Sequence, residues 1–334
     1  MRPRAGVACV LPLALAGCQG WQSALDPQGP QARSLADIIW VFTGVAVAVW
    51  VLVAVALAAA LLRRRAEPPD PLSRAPDRER AMGYAVGGCV ALTLVVILAL
   101  TGYSYATQKE LFSTHEGRIT ILLTGHQFWW DVRYEDPAPS RVFSTANEIH
   151  IPVGEPVRIK LEASDVIHSF WVPSLLGKQD LIPGRQNLVR LQADRPGVYR
   201  GQCAEFCGWQ HAHMSLLVVA HPREEFEAWR DAQLASAAPP STDEQKEGQR
   251  VFLSNPCMTC HTVRGTSAGA VAGPDLTHLA SRRMLGAGML PLTRGNLAAW
   301  VVDAPGVKPG VHMPSIKLEP HELHPLLAYL EGLK

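Results

Sequence analysis

Gly201-Gln202-Cys203-Ala204-Glu205-Phe206-Cys207-Gly208-Trp209-Gln210-His211-Ala212-His213-Met214 sets two thiols, an imidazole and a thioether within a dozen residues. Soft sulfur donors select copper over hard cations. Zinc would call for more Cys or His and no Met. A second histidine stands far upstream, in Asp165-Val166-Ile167-His168-Ser169-Phe170-Trp171. One His from an earlier strand, with Cys, His and Met from a later loop, is the ligand logic of a copper site. The second cysteine allows two thiolates to bridge two coppers, so that an added electron is shared and the geometry barely changes. A Cys203–Cys207 disulfide and a zinc site are the competing readings.

The segments around this stretch, from about 115 to 220, are short β-like runs. Examples are Arg118–Leu123, Val157–Leu161 and Leu216–Val219, separated by turns such as Pro152-Val153-Gly154-Glu155-Pro156 and Pro183-Gly184. Regularly spaced short strands predict a β-sandwich or barrel. His115, His150 and His221 are read as solvated or structural, and His213, lying between two ligand candidates, as pointing away.

Hydrophobic residues are 48% of the 334 and charged residues 18%, but the apolar excess sits almost wholly in the first third. The length suggests two or three domains. A net charge of +1, with no basic stripe, gives no indication of nucleic-acid binding. Residues 1–17 start with Arg2 and Arg4, run apolar, and are too short to span a bilayer. They end in Leu15-Ala16-Gly17-Cys18, which resembles a bacterial lipoprotein signal with Cys18 as the lipidated residue. Spans at ~36–62 and ~82–105 follow, each long enough to cross ~30 Å of hydrocarbon. The loop between them carries Arg63, Arg64, Arg65, Arg74, Arg78 and Arg80, which places it in the cytoplasm. Residues 18–110 are thus expected to form a transmembrane hairpin, with everything after ~108 periplasmic.

Of seven cysteines, four form two close pairs with histidine nearby, which points to metal or haem before disulfides. The second pair is Cys257-Met258-Thr259-Cys260-His261, the Cys-x-x-Cys-His pattern of covalent haem attachment. It lies beyond a linker, 235–242, and a helical stretch, Asp243–Leu253. Gly273-Pro274-Asp275-Leu276 follows, and His312-Met313-Pro314 precedes a C-terminal helix at Glu319–Leu333. Met313 is the choice for the sixth iron ligand, against His312, Met284 and Met289; His/Met ligation raises the haem potential. His278, His321 and His324 are expected on the surface.

Cys-x-Glu-x-Cys-x-x-x-His-x-x-Met with an upstream His-Ser-Phe-Trp-Val-Pro resembles the dinuclear copper (CuA) domain of cytochrome c oxidase subunit II. Residues ~30–230 carry that likeness, and ~243–334 resemble class I cytochrome c, as in the fused caa-type haem–copper oxidases. The resemblance implies a cupredoxin-like all-β domain over 111–234 and an all-α cytochrome domain over 243–334. It implies CuA ligands His168, Cys203, Cys207, His211 and Met214, with Glu205 binding through its backbone carbonyl. Its side chain would also reach a magnesium shared with subunit I. It further implies haem c on Cys257, Cys260, His261 and Met313. Gly125-His126-Gln127-Phe128-Trp129-Trp130 resembles the family's aromatic segment, making Phe128, Trp129 and Trp130 the candidate electron-relay residues.

The implied activity is electron transfer from a periplasmic c-type cytochrome, or another donor there, through haem c and CuA to haem a of subunit I. Oxygen reduction and proton pumping would occur in that partner, alongside subunit III, in a bacterial inner membrane. The copper ligand set argues against a quinol oxidase subunit, and the absence of a second, His-rich copper domain against nitrous-oxide reductase. A freestanding membrane-anchored carrier or a copper-delivery protein is the remaining rival.

Overall fold

The computed structural model describes residues 20, 22–63, 76–113 and 117–334. The expected signal peptide, Cys18, the loop arginines 64, 65 and 74, and His115 lie outside them. The chain divides into two compact units, one spanning 34–114 and the other containing the flanking residues.

The first of these holds most of two helices, α1 (Pro30–Leu62) and α2 (Pro76–Ser113). Both exceed the expected spans, because helical geometry continues from the apolar stretch into its polar flanks. Mean hydropathy reaches 2.9 and 2.3 in their richest windows, and those windows are unburied within the protein. Leu52, Leu61 and Leu98 stand largely exposed. Side chains of this kind are stable on the outside of a helix only where the surroundings are apolar.

The other unit contains two five-stranded sheets and a helical domain. The strands are β1 (Ile119–His126), β2 (Trp129–Glu135), β3 (Phe143–Ala146), β4 (Glu148–Pro152), β5 (Val157–Ala163), β6 (His168–Trp171), β7 (Gln179–Leu181), β8 (Asn187–Leu191), β9 (Gly197–Cys203) and β10 (Ser215–His221). One sheet has the order β3-β2-β1-β5-β8 and the other β4-β10-β9-β6-β7. In β1 every second residue is buried, so Ile119, Ile121 and Leu123 face the core. Opposite them β5 runs parallel, setting Ile121 beside Ile159 and Leu123 beside Leu161. Each such side chain contributes about 1.5–3 kcal/mol when fully buried. Strand β10 departs from alternation: Ser215, Leu217 and Val219 are buried as well as Leu216, Val218 and Ala220. Its outer face is covered, in part by Ala287 of the helical domain, whose carbonyl accepts from Ser215 N and Oγ, both at 2.9 Å.

Helix α3 (Arg223–Leu234) closes the β domain, stacking Trp229 on His150 at 4.0 Å. The linker is pinned rather than loose. Arg264 donates to the carbonyls of Gln233 and Leu234, and Ala237 N donates back to Arg264 O. The helical domain follows: α4 (Asp243–Ser254), α5 (Cys257–Cys260), a short hairpin of β11 (Met284–Leu285) and β12 (Leu290–Pro291), α6 (Arg294–Val307) and α7 (Pro320–Gly332). Thr242 caps α4, accepting from Gln245 N at 3.1 Å. Gly248 lies where α4 crosses α7; a Cβ there would run into the Pro325 carbonyl, so only glycine permits this approach. Phe252 and Tyr329 pack beside the crossing.

Candidate copper and haem sites

His168 begins β6, Cys203 ends β9, and Cys207, His211 and Met214 come from the loop entering β10. Sheet pairing sets Phe170 against Cys203, which draws the two distant segments together. The Cys203 and Cys207 sulfurs lie 3.8 Å apart. His168 Nδ1 is 3.9 Å from Cys203 Sγ, whereas His211 Nδ1 is 3.8 Å from Cys207 Sγ. Met214 Sδ lies 3.9 Å from Cys207 Sγ, and the Glu205 carbonyl 3.2 Å from Cys203 Sγ. Each imidazole thus attends a different sulfur, an arrangement that fits two soft ions sharing two thiolates.

The electrostatics suit cation binding. Cys203 is drawn well below the usual thiol range, chiefly by its hydrogen bond with Cys207 and also by His168. Cys207 is pushed up by the same neighbour and by burial. A bound cation resolves that conflict, because both sulfurs can then be thiolates. Burial alone would lower His168, but hydrogen bonds with Cys203 and Asp165 carry it upward. Its Nε2 lies 2.8 Å from Asp165 Oδ1, the outer support expected of a metal-binding imidazole. His213 turns to Gln210 instead, with Nδ1 2.9 Å from Oε1.

In the helical domain a cavity of about 480 Å³ is lined by Cys257, Cys260, His261 and Met313, and by apolar walls including Phe252 and Trp300. His261 Nδ1 lies 2.8 Å from the Pro274 carbonyl, leaving Nε2 as its ligand atom. Burial keeps this imidazole's pKa below its ordinary value, which favours the neutral form that a metal ligand requires. The residues fit a thioether-linked haem. Met284 and His312 also line the cavity, whereas Met289 does not.

The same cavity is lined from the β domain by His126, Gln127, Phe128, Trp129 and Asp165. The periplasmic-domain model of cytochrome C oxidase subunit II matches residues 136–221, and that of cytochrome c matches 245–334. Cytochrome c oxidase subunit 2 of Alkalihalophilus pseudofirmus is 36% identical over 331 residues, covering 97% of this chain and 95% of that protein. The chain belongs to the cytochrome c oxidase subunit II family.

The subunit 2 of Bacillus subtilis is 29% identical over 354 residues, covering 97% of this chain and 96% of its own. The periplasmic domain of subunit II from Bradyrhizobium japonicum matches at 31% identity and a TM-score of 0.34, covering 35% of this chain and 94% of that one. This subunit II therefore joins a copper-site domain to a cytochrome c domain, behind two helices that anchor it to the membrane with those domains periplasmic. It is part of a cytochrome c oxidase.

The three aromatics of this subunit II part company in the structure. Phe128 is buried and Trp129 stacks on His126 at 4.5 Å, and both line the cytochrome cavity. Trp130 is fully buried, edge-on to the His168 ring at 6.1 Å. The Glu205 carboxylate lies 3.4 Å from Lys178 Nζ. His278 corrects the sequence reading: it is buried, with its ring nitrogens 2.8 and 3.1 Å from the carbonyls of Lys334 and Ala235. A chain end folding back over it hides a residue that local sequence marks as polar surface. His321 and His324 are exposed.

Sequence reasoning gave no role to Asp165, to Gln127, whose Nε2 donates to the Cys207 carbonyl at 2.6 Å, or to the fully buried Lys308. The only signals available were an acid three residues before a candidate ligand and a lysine five residues before Met313.

Proposed function

We propose that this chain is the electron-receiving subunit of a caa-type oxidase, accepting electrons at its cytochrome domain and delivering them through its copper domain to subunit I. A covalent haem c and a dinuclear CuA centre would supply one-electron carriage with little rearrangement. Cys257 and Cys260 would hold the haem by thioether bonds, with His261 and Met313 as axial donors. His168, Cys203, Cys207, His211, Met214 and the Glu205 carbonyl would hold the coppers.

The observation that carries this reading is the shared wall of the cytochrome cavity. Gln127 and Asp165 line that cavity and are also hydrogen bonded to the copper donors, through the Cys207 carbonyl and His168 Nε2. Few covalent and hydrogen-bonded steps then separate the two sites. Phe128 and Trp129 line the same wall, and Trp130 abuts His168. The pinned linker adds to this by fixing the donor domain in place, which goes beyond the roughly millimolar effective concentration of a flexible tether.

The reading extends to the complex. Haem a in subunit I would be the acceptor, oxygen reduction and proton pumping would take place there, and subunit III would complete the assembly. The donor is a periplasmic c-type cytochrome or an equivalent carrier. The Glu205 carboxylate would exchange Lys178 for a magnesium ion at the subunit I face. The bacterial inner membrane and a lipid on Cys18 complete the anchoring.

Metal analysis, EPR and visible spectra of the purified full-length chain, made in a host that attaches haem c, test the proposal. Two coppers with a delocalised mixed-valence signal and one covalent haem per chain are expected. A single ordinary copper, or haem alone, would overturn it. From the native membrane, the chain should co-purify with a large haem-bearing subunit.

A further inference from the structure

Two residues of the cytochrome domain grip the backbone on either side of Met214. Lys308 follows a break in α6, where Asp303 leaves helical geometry (φ −148°, ψ 70°) ahead of Pro305. Pro305 supplies no backbone N–H, and Asp303 Oδ1 accepts from Gly306 N at 3.2 Å, starting a new turn. That turn delivers Lys308 to the β domain, where it is fully buried. Its Nζ donates to the carbonyls of His213 at 2.8 Å, Phe128 at 3.0 Å and Gly286 at 2.7 Å. An ammonium has three donors, and all three are used here.

On the other side, Ala287 is fully buried with φ at +59°, presenting its carbonyl to Ser215 N and Oγ. Met214 lies between the two gripped residues, fully buried, with its own carbonyl accepting from Cys203 N at 2.8 Å. Its thioether therefore has little freedom of its own. In copper sites, the axial donor's distance and orientation tune the redox potential. Burial pulls Lys308 down to about 7, so the position is costly for a charged lysine.

We propose that Lys308 is a positioning residue for Met214: together with the Ala287 carbonyl it clamps residues 213 and 215, so that seating the cytochrome domain sets the thioether at the copper site. By holding the Phe128 carbonyl, the same ammonium fixes the wall facing the haem cavity. Docking and copper geometry are then one event rather than two. The inference rests on Met214 being a copper ligand.

Lys308→Met and Lys308→Arg in the intact oxidase test it, with the copper near-infrared and EPR signals read beside the haem c spectrum. The wild-type protein must first give the mixed-valence signal; without it, the copper reading itself fails. Given that signal, K308M is expected to keep its covalent haem while the copper bands shift. Flash-initiated haem-to-copper electron transfer should slow about tenfold or more, within the loss of up to ~100-fold that a ~1 Å misplacement can cause. K308R, which keeps the cation, should move the bands part-way back. A wild-type copper spectrum in K308M overturns the proposal. Should K308M yield no folded protein, Lys308→Gln, which keeps a shorter neutral donor at this position, decides instead: shifted copper bands support the clamp and unchanged bands refute it.

Discussion

Asp165 Oδ1 lies 2.8 Å from His168 Nε2, while its other oxygen accepts from Gln127 N at 2.7 Å. One carboxylate thus orients a copper-site imidazole and anchors the strand end that walls the cytochrome cavity. Removing its charge should weaken the copper site without unmaking the haem site. For Asp165→Asn, copper affinity should fall about 10- to 100-fold, the usual cost of losing such a support. Competition with a chelator measures this, and haem content should stay at one per chain.

Met214→Leu separates the two sites. Leucine nearly conserves the volume of this fully buried side chain, so the cost in stability should stay below about 1.5 kcal/mol. The copper EPR and near-infrared bands should change and the haem c spectrum should not. Loss of both spectra together would refute independent sites.

Gly273 tests the cytochrome cavity. A Cβ at that position would lie 2.7 Å from His261 Cε1 and 3.0 Å from its Nδ1, in the ring whose orientation the Pro274 carbonyl fixes. Gly273→Ala should displace the imidazole and destabilise the domain by about 1–3 kcal/mol, as overpacking does. Visible spectra should show a fraction of haem without its native axial pair, with the copper signal retained.

Asp131 gives a pH test. Burial pushes its carboxyl up to about 6. The folded chain therefore holds a proton here more tightly than the unfolded chain does. That contribution to stability is fully present below the unfolded pKa of about 3.8 and is lost as pH rises through about 6. At neutral pH the buried charge is a liability. Asp131→Asn should therefore be more stable than wild type at pH 7 by about 1–2 kcal/mol, after discounting for its partial exposure. The difference should shrink toward pH 4, as paired thermal unfolding curves would record.

Much of this protein is legible along the chain because its chemistry is local. Cys203, Cys207, His211 and Met214 share one loop, and Cys257, Cys260 and His261 share one turn. Spacing alone therefore announces both donor sets. The apolar helices are equally plain, since their side chains answer to an apolar surrounding and not to particular neighbours. His168 was reachable only by its motif, 35 residues ahead of Cys203.

The tertiary structure decided the rest, because the remaining contacts join residues that no sequence window holds together. Lys308 reaches Phe128 across 180 positions and His213 across 95. Nothing near it in sequence distinguishes it from a surface lysine; three converging carbonyls do. His278 is hidden by the chain terminus 56 residues on, and the 235–242 segment, which reads as a linker, is tied to Arg264 through Ala237 N. Donor chemistry and close spacing are properties of the sequence itself, which is why the Cys203–Met214 and Cys257–His261 clusters stand out as candidate donor sets along the chain. How the two sites face each other depends on the seating of one domain on another, and only the folded chain specifies that.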